Sequence, residues 1–435
     1  MRVFFPILCL LIISYGCENQ ITTVGQEHWD NPTTVEIKRV VIDDASTVRL
    51  DSFPTSTSVY GYNLKLPQTV LGGMTDLISG RTETISYFYP APSIRAYLDY
   101  EGGYVYDSLT LHITSPKIIA GDTLDYQRYH LYRVPEIPTY DLDYPYFFSN
   151  NAPLLGERIA ELVLFPEEEY LKNPLYFRIE GTLGQELYDM IVRQDERLEP
   201  GNEYDFQEYF RGLAIVPDAA NSTFMSVDPT FELRCYYHLS SAEDVPLYAA
   251  FRNSTGEPYT FTHVRHTPST ELIGTTYRNS LPFYRYNFGV IQGLNGYLFR
   301  LKLPYLDESA IYRFMVRVEI ELRPRLENYD NIPQTPSLHL YYTDEHDRLQ
   351  RSEVAAYRIE GKGSDNERYL VDITQYYKDK LRQGDHDMHL MLGLPGRVFS
   401  IQDAYTSLLQ ESFCFDRFII NEEPALIITT IQYRH

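Results

Sequence analysis

The sequence predicts a mainly β protein built as two β-sandwich, jelly-roll-like lobes with few short helices. Three observations predict it. Apolar residues alternate with polar ones at period two through most of the chain, the pattern of strands with one packed and one wet face. Tyrosine, which favours strands, occurs 39 times in 435 residues. Only two stretches carry helical spacing, and they sit in similar settings in the two halves.

The strands are read from their faces. Leu109, Leu111 and Ile113 share one side of an alternating run. Leu175, Phe177 and Ile179 alternate with Tyr176, Arg178 and Glu180, and Tyr297, Phe299, Leu301 and Leu303 form another apolar face. In the cleanest run, Phe314, Val316, Val318, Ile320 and Leu322 alternate with Met315, Arg317, Glu319 and Glu321. Leu338 to Tyr342 and Ala425 to Ile431 add further strands. One helix is expected within Gly184 to Arg193, on Leu183, Leu187, Met190 and Ile191. The other carries Ile373, Tyr376, Tyr377 and Leu381 and follows Asp372, an N-cap residue type. Each helix comes after a strand-rich block that opens with an alternating strand. The chain therefore reads as a weak internal duplication with its boundary in 240–246. The expected division is a signal peptide over 1–16, a lipid-anchored flexible tether over 17–40, a first lobe over 41–243 and a second over 244–435.

The signal peptide is read from Arg2 followed by the apolar run Phe4 to Ile13, too short to span a bilayer and of the right size for a signal core. Gly16 then precedes Cys17, a small residue before a cysteine, which looks like the lipobox at which bacterial lipoproteins are diacylated and cleaved. Ser14 stands where leucine is more usual. The polar run from Glu18 to Thr34 reads as a tether. Position 18 is not aspartate, which favours the outer membrane.

The formal charge of −22 argues against a sequence-independent grip on nucleic acid and against a polybasic membrane patch. Of four cysteines, Cys9 lies in the segment expected to be removed and Cys17 carries lipid. Cys235 and Cys414 remain, read as buried thiols in preference to a disulfide.

The chain has no Gly-x-Ser-x-Gly elbow, His-Glu-x-x-His pair, phosphate-binding Gly-Lys-Ser/Thr loop or Cys-x-x-Cys pair. No catalytic residue and no cofactor is expected. Asp385, His386, Asp387 and His389 are the one compact set of metal-ligand types, read as a solvated turn after Gly384. His263 and His266 fall on opposite faces of an extended run. Asp344 to Asp347 reads as a charged hairpin turn and Glu167 to Glu169 as a solvated face. Asp107-Ser108-Leu109 and Asp122-Thr123-Leu124 match the short pattern at which Bacteroidetes O-glycosylate exported proteins, with Ser108 and Thr123 as acceptors.

Two resemblances follow from ordered segments. Tyr369 to Tyr377, His389 to Leu394 and Glu423 to Ile428 resemble the closing helix, strand and "Pro-x-Leu" strand of small jelly-roll modules on bacterial surface proteins. Nearly all of the mature chain resembles the Bacteroidetes lipoproteins grouped as domain of unknown function 4270. The match runs through Thr22 to Gly25, Leu71-Gly72-Gly73, Asp76, Gly80, Tyr106 to Leu111 and His130 to Val134. It continues through Tyr146 to Asn150, Pro153 to Gly156, Leu183 to Leu187, Tyr209 to Ile215, Cys235 to Tyr237 and Leu301 to Pro304. The resemblance implies an exported, lipid-anchored β protein and carries no activity or catalytic residues.

The functional expectation is a lipid-anchored outer-membrane protein with a non-catalytic binding or structural role at the envelope. Its tyrosine-rich faces or sandwich loops would hold a glycan or an envelope protein. An envelope glycan hydrolase and an accessory subunit of an outer-membrane transport machine are the alternatives.

Overall fold

In a computed structural model the described residues are 33–53, 55, 58–59, 62–65, 69–93, 103–137, 147–167, 171, 173–253, 260–306, 315–325, 338–343, 349–394 and 416–433. Two sandwiches emerge, each pairing a five-stranded with an eight-stranded antiparallel sheet. The mainly β expectation holds.

The five-stranded sheet of the first sandwich runs Leu175–Ile179, Tyr104–Ile113, Glu232–Leu239, Ala242–Asn253, Pro90–Pro92. Its inner face carries Leu109, Leu111, Phe177, Leu233, Cys235 and Phe251, all fully buried against the eight-stranded sheet. Strand Gly80–Phe88 is the hub of that larger sheet. One edge pairs with Thr260–Pro268 along its whole length; the other is shared by Thr69–Asp76 and Gly212–Pro217. The second sandwich sets Thr33–Val41, Ala425–Tyr433, Met315–Leu322, Arg368–Asp372 and Tyr357–Glu360 against a sheet centred on Tyr297–Lys302.

Among the described residues the α-helices are α1 (Leu183–Val192), α2 (Glu203–Phe210), α3 (Phe283–Tyr286) and α4 (Thr374–Gln383). Helices α1 and α4 match the two expected ones. Asp372 lies one residue before the cap position, yet its Oδ1 accepts from the Thr374 N–H at 2.8 Å and the Thr374 hydroxyl at 2.6 Å. Gly384, at φ 66°, ends α4 in the left-handed conformation that glycine adopts without steric cost. Helix α2 escapes a reading by hydrophobic period because its apolar face is narrow. Phe206 and Phe210, one turn apart, stack at 5.5 Å and are fully buried.

The strand pairings repeat. In the first sandwich Gly80–Phe88 pairs with Thr69–Asp76 and Gly212–Pro217, and Tyr104–Ile113 pairs with Leu175–Ile179 and Glu232–Leu239. In the second, Tyr297–Lys302 pairs with Gly289–Gln292 and His389–Gly393, and Met315–Leu322 pairs with Arg368–Asp372 and Ala425–Tyr433. Chain order and pairing correspond strand for strand, and α1 and α4 follow equivalent strands. In chain order one set of strands ends at Leu239 and the next begins at Ala242.

The spatial lobes, however, are not the spans 41–243 and 244–435. Asp44–Arg49 pairs with Tyr297–Lys302, and Thr33–Val41, inside the span read as tether, pairs with Ala425–Tyr433. Both belong to the second sandwich. Conversely, Ala242–Asn253 pairs with Glu232–Leu239, and Thr260–Pro268 with Gly80–Phe88, in the first. Each copy thus lends its first two strands to the other. The exchange leaves Thr33 opposite Tyr433, just as Ala242 lies opposite Leu239 across a tight hairpin.

One further correction concerns the strand at 315. A bulge between Met315 and Arg317 turns Met315 inward and leaves Val316 half exposed, so the expected face begins only at Val318. Glu319 and Glu321, expected on a wet face, are buried. Arg358 clasps Glu319 at 2.9 and 3.0 Å, and Arg39 and Arg368 reach Glu321 at 3.0 and 2.8 Å. Phe314 lies outside the described residues.

Equivalent hairpin turns, 76–80 and 292–296, meet between the sandwiches. Asp76 and Arg417 form an ion pair at 2.6 Å with both side chains fully buried. The Asp76 carboxylate also accepts from the Ile78 N–H at 2.7 Å, the Ser79 hydroxyl at 3.0 Å and Gln292 Nε2 at 3.4 Å. Asn295 Nδ2 donates to Ser79 Oγ at 3.3 Å, and Thr82 Oγ1 donates to Asn295 Oδ1 at 2.7 Å. His266 closes the network between Thr82, at 2.9 Å, and Tyr297, at 3.0 Å.

Two outcomes test this architecture. Joining Tyr433 to Thr33 by a short turn and opening the chain at 240–241 creates a permutant that keeps every described pairing; its melting temperature should lie within a few degrees of the parent, whereas deleting 33–49 should abolish cooperative unfolding. Asp76→Ala leaves a buried arginine without its carboxylate, and denaturant titration should show a loss of about 3–5 kcal/mol.

Candidate functional site

The outer face of the five-stranded sheet in the first sandwich presents a row of rings. Alternation sends Leu175, Phe177, Leu233, Cys235 and Tyr237 to the core, so Tyr176 and Tyr236 point the other way. Register then lines them up. Tyr176 lies opposite His112, and Tyr236 opposite Tyr248. The His112 ring stacks on Tyr176 at 6.1 Å and sits 6.2 Å from Tyr236, which is 5.6 Å from Tyr248. Four neighbouring strands each supply one ring. The two ends are open to solvent, Tyr176 at 59% and Tyr248 at 43% exposure.

Polar groups hold the row in place. The Arg234 guanidinium lies over the Tyr248 ring at 4.7 Å and donates to Glu232 at 2.7 Å. Arg252 reaches the same carboxylate at 2.8 Å. Burial alone would raise the Glu232 carboxyl; hydrogen bonds from Arg234 and Arg252 outweigh it and hold it below its usual value. His112 Nε2 lies 2.8 Å from Thr110 Oγ1 and 3.3 Å from the Tyr236 hydroxyl. Burial and then the Arg234 charge push its pKa below the ordinary imidazole value, so the ring is neutral at pH 7. Neutral rings and fixed donors on a rigid sheet suit contact with a flat, hydroxyl-bearing surface.

A second concavity, of about 370 Å³, lies in the second sandwich between α4 and the strands His339–Thr343 and Leu349–Val354. Glu353 and Asp379 line it from a strand and from the helix. The Tyr342 and Tyr376 rings meet at 4.5 Å, with the Tyr342 hydroxyl donating to Glu353 and the Tyr376 hydroxyl to the His389 carbonyl at 3.1 Å.

No family model, no curated protein and no solved structure matches the chain.

The residues singled out in the sequence are placed as follows. Asp385 pairs with Lys380 at 2.5 Å and accepts from the Asp387 N–H at 3.0 Å, so the Lys380 hydrogen bond first and the Asp387 amide second lower its pKa. His386 lies 3.9 Å from the Tyr305 ring, and His389 opens the strand His389–Gly393. These four do not converge. Among the described residues no three His, Cys, Asp or Glu side chains are gathered as metal ligands. His263 bonds the Ser149 carbonyl while His266 faces the inter-lobe network, on opposite sides of their strand. Cys235 is a buried free thiol, pushed up to about 12 by burial. Ser108 lies half-buried in the strand Tyr104–Ile113, on the ring-bearing face beside Tyr236, and Thr123 sits in an exposed turn closed by Asp122. Cys17, Cys414, Glu168, Glu169 and Asp344 to Asp347 lie outside the described residues.

Sequence reasoning placed Tyr176 on the non-packed side of its strand, and the alternation of Leu233, Cys235 and Tyr237 turns Tyr236 outward in the same way. It missed His112 and Tyr248 as their companions, because the row exists only through cross-strand register. The signal available was local: two tyrosines and a histidine alternating with core residues.

Proposed function

We propose that this chain is an outer-membrane lipoprotein, anchored through lipid on Cys17, that binds a glycan without catalysis at the cell envelope. The observation that carries the reading is the ring row Tyr176–His112–Tyr236–Tyr248, an open aromatic surface on a rigid sheet. The ordered segments that resemble the lipoproteins grouped as domain of unknown function 4270, and the apolar run before Gly16-Cys17, support export and anchoring. Thr123, in its exposed turn, is the better placed of the two O-glycosylation acceptors, since Ser108 sits within a strand.

A second reading, an envelope glycan hydrolase, draws on Glu353 and Asp379 lining one cleft, one from a strand and one from the helix. Release of reducing ends from a bound glycan would favour it and count against the non-catalytic reading.

Two measurements test the proposal. Tyr176→Ala with Tyr248→Ala removes the two exposed ends of the row while leaving the inner face intact; retention on an oligosaccharide array should weaken about tenfold or more, with little change in thermal stability. Retention equal to wild type would remove the aromatic face from the reading. Cys17→Ser should leave the protein uncleaved or soluble. A variant that stays in the detergent-requiring membrane fraction with the wild-type mature N-terminus would overturn the anchor.

A further inference from the structure

The cleft beside α4 has a composition that the ring row does not share. Gln375, Asp379 and Gln383 recur every fourth residue along α4 and so project from one helix face, spanning about 12 Å. Gln375 Nε2 donates to both Asp379 carboxylate oxygens at 2.9 Å, which fixes the pair relative to one another. Across the cleft stands Glu353, oriented by the Tyr342 hydroxyl. Between the two walls lie the paired rings of Tyr342, which is buried, and Tyr376, which is half-buried with Lys380 Nζ 5.8 Å from its centroid; both hydroxyls are engaged.

Two further features narrow the ligand. Thr343, 3% exposed, lines the cleft, and its hydroxyl has no hydrogen-bond partner among the described residues. An unpaired buried hydroxyl is costly, and rotation about χ1 exchanges it with the near-isosteric methyl group, so a ligand hydroxyl can complete it. The charges along the walls are Glu353, Asp379 and Lys380, and Lys380 is already paired to Asp385. Asp379 is also paired to Arg382 at 3.2 Å, so the cations beside the cleft, Lys380 and Arg382, are already engaged, which leaves neither to hold a carboxylated or sulfated sugar and leaves the amide and carboxylate acceptors for neutral hydroxyls.

We propose that this cleft is a second saccharide site, which takes a single unit of a neutral glycan, its ring face against Tyr376 and its hydroxyls on Gln375, Asp379, Gln383 and Glu353. This rests on the reading of the protein as a glycan binder and adds to it a pocket for one sugar, distinct from the extended contact offered by the ring row. A volume of about 370 Å³ fits one such unit better than a chain.

The test is calorimetric titration of the full chain with mannotriose, cellotriose, triacetylchitotriose and, as the acidic counterpart, trigalacturonic acid. At least one neutral probe should bind wild type and trigalacturonic acid should not. Asp379→Ala with Gln383→Ala alters only the helix face, so its fold can be verified by circular dichroism, and it should weaken neutral binding about tenfold. Tyr376→Ala should weaken it further; should that variant fail to fold, the helix-face double variant still decides. Binding unaffected by the double variant but lost in Tyr176→Ala with Tyr248→Ala would overturn the cleft and leave the aromatic face standing. Loss in the cleft variant alone keeps the cleft and removes the face. Tighter binding of trigalacturonic acid overturns the cleft assignment, and no binding of any probe overturns it as well.

Discussion

The reciprocal loan of two strands is the constraint on which the rest of the structure depends. Without Thr33–Val41, Ala425–Tyr433 would be an open edge; without Thr260–Pro268, Gly80–Phe88 would lose one whole side. Neither sandwich closes its core from its own copy. Ile42 and Ala45 complete the apolar cluster around Val318 and Leu390, while Ala249 and Phe251 complete the one around Leu109 and Leu233. The Asp76–Arg417 pair sits where the two copies turn toward each other. It is dry and multiply hydrogen-bonded, the condition under which a buried ion pair is tolerated and specifies geometry. Around it, Gln292 and Asn295 reach Asp76 and Ser79 of the opposite copy, and Thr82 reaches Asn295 and His266. Burial, followed by the nearby Arg49 charge, pushes His266 down to about 3, so it bridges Thr82 and Tyr297 as a neutral ring. Directional bonds thus fix the turns where the two copies meet, beside an apolar cluster that joins Leu294 to Val70 and Met74.

This arrangement explains which parts of the fold were legible in the sequence. Period-two alternation reports a strand's faces, so Leu109 to Ile113, Leu175 to Ile179 and Ala425 to Ile431 were correctly assigned. The boundary near 240 was legible because it is a property of chain order. Alternation is silent about which strand lies alongside, and the loan of strands is entirely a matter of partners. Thr33–Val41 illustrates the limit: exposed from Thr34 to Ile37 and pairing on one edge, it has little apolar pattern and reads as a tether. The bulge at Met315 and the burial of Glu319 and Glu321 were hidden for a related reason. A carboxylate looks solvent-facing in sequence unless the arginines that cover it, here from strands at 39, 358 and 368, are known to be neighbours.

The repeated topology also gives the ring row an internal control. Strands Leu175–Ile179, Tyr104–Ile113, Glu232–Leu239 and Ala242–Asn253 correspond to Arg368–Asp372, Met315–Leu322, Ala425–Tyr433 and Thr33–Val41. On the first set the outer face carries Tyr176, His112, Tyr236 and Tyr248. On the second the same face carries Arg368, Glu321 and Arg39, joined by ion pairs at 2.8 and 3.0 Å. Glu321 feels burial first, which raises it, and then the hydrogen bonds of Arg368 and Arg39, which carry it below its ordinary value. That face is closed electrostatically, with its carboxylates covered and its arginines occupied. Sheet stability alone is served by either solution, since cross-strand aromatic and charged pairs stabilise neighbouring strands to similar degrees. One framework, with the same strand order, therefore bears an ion-paired outer face in one sandwich and an aromatic face with two open ends in the other. The aromatic row is not dictated by the fold, since the equivalent face carries Arg368, Glu321 and Arg39 and, beside them on the edge strand, the exposed Val35 and Ile37. The glycan reading proposed above gives the aromatic row a purpose that sheet stability does not require.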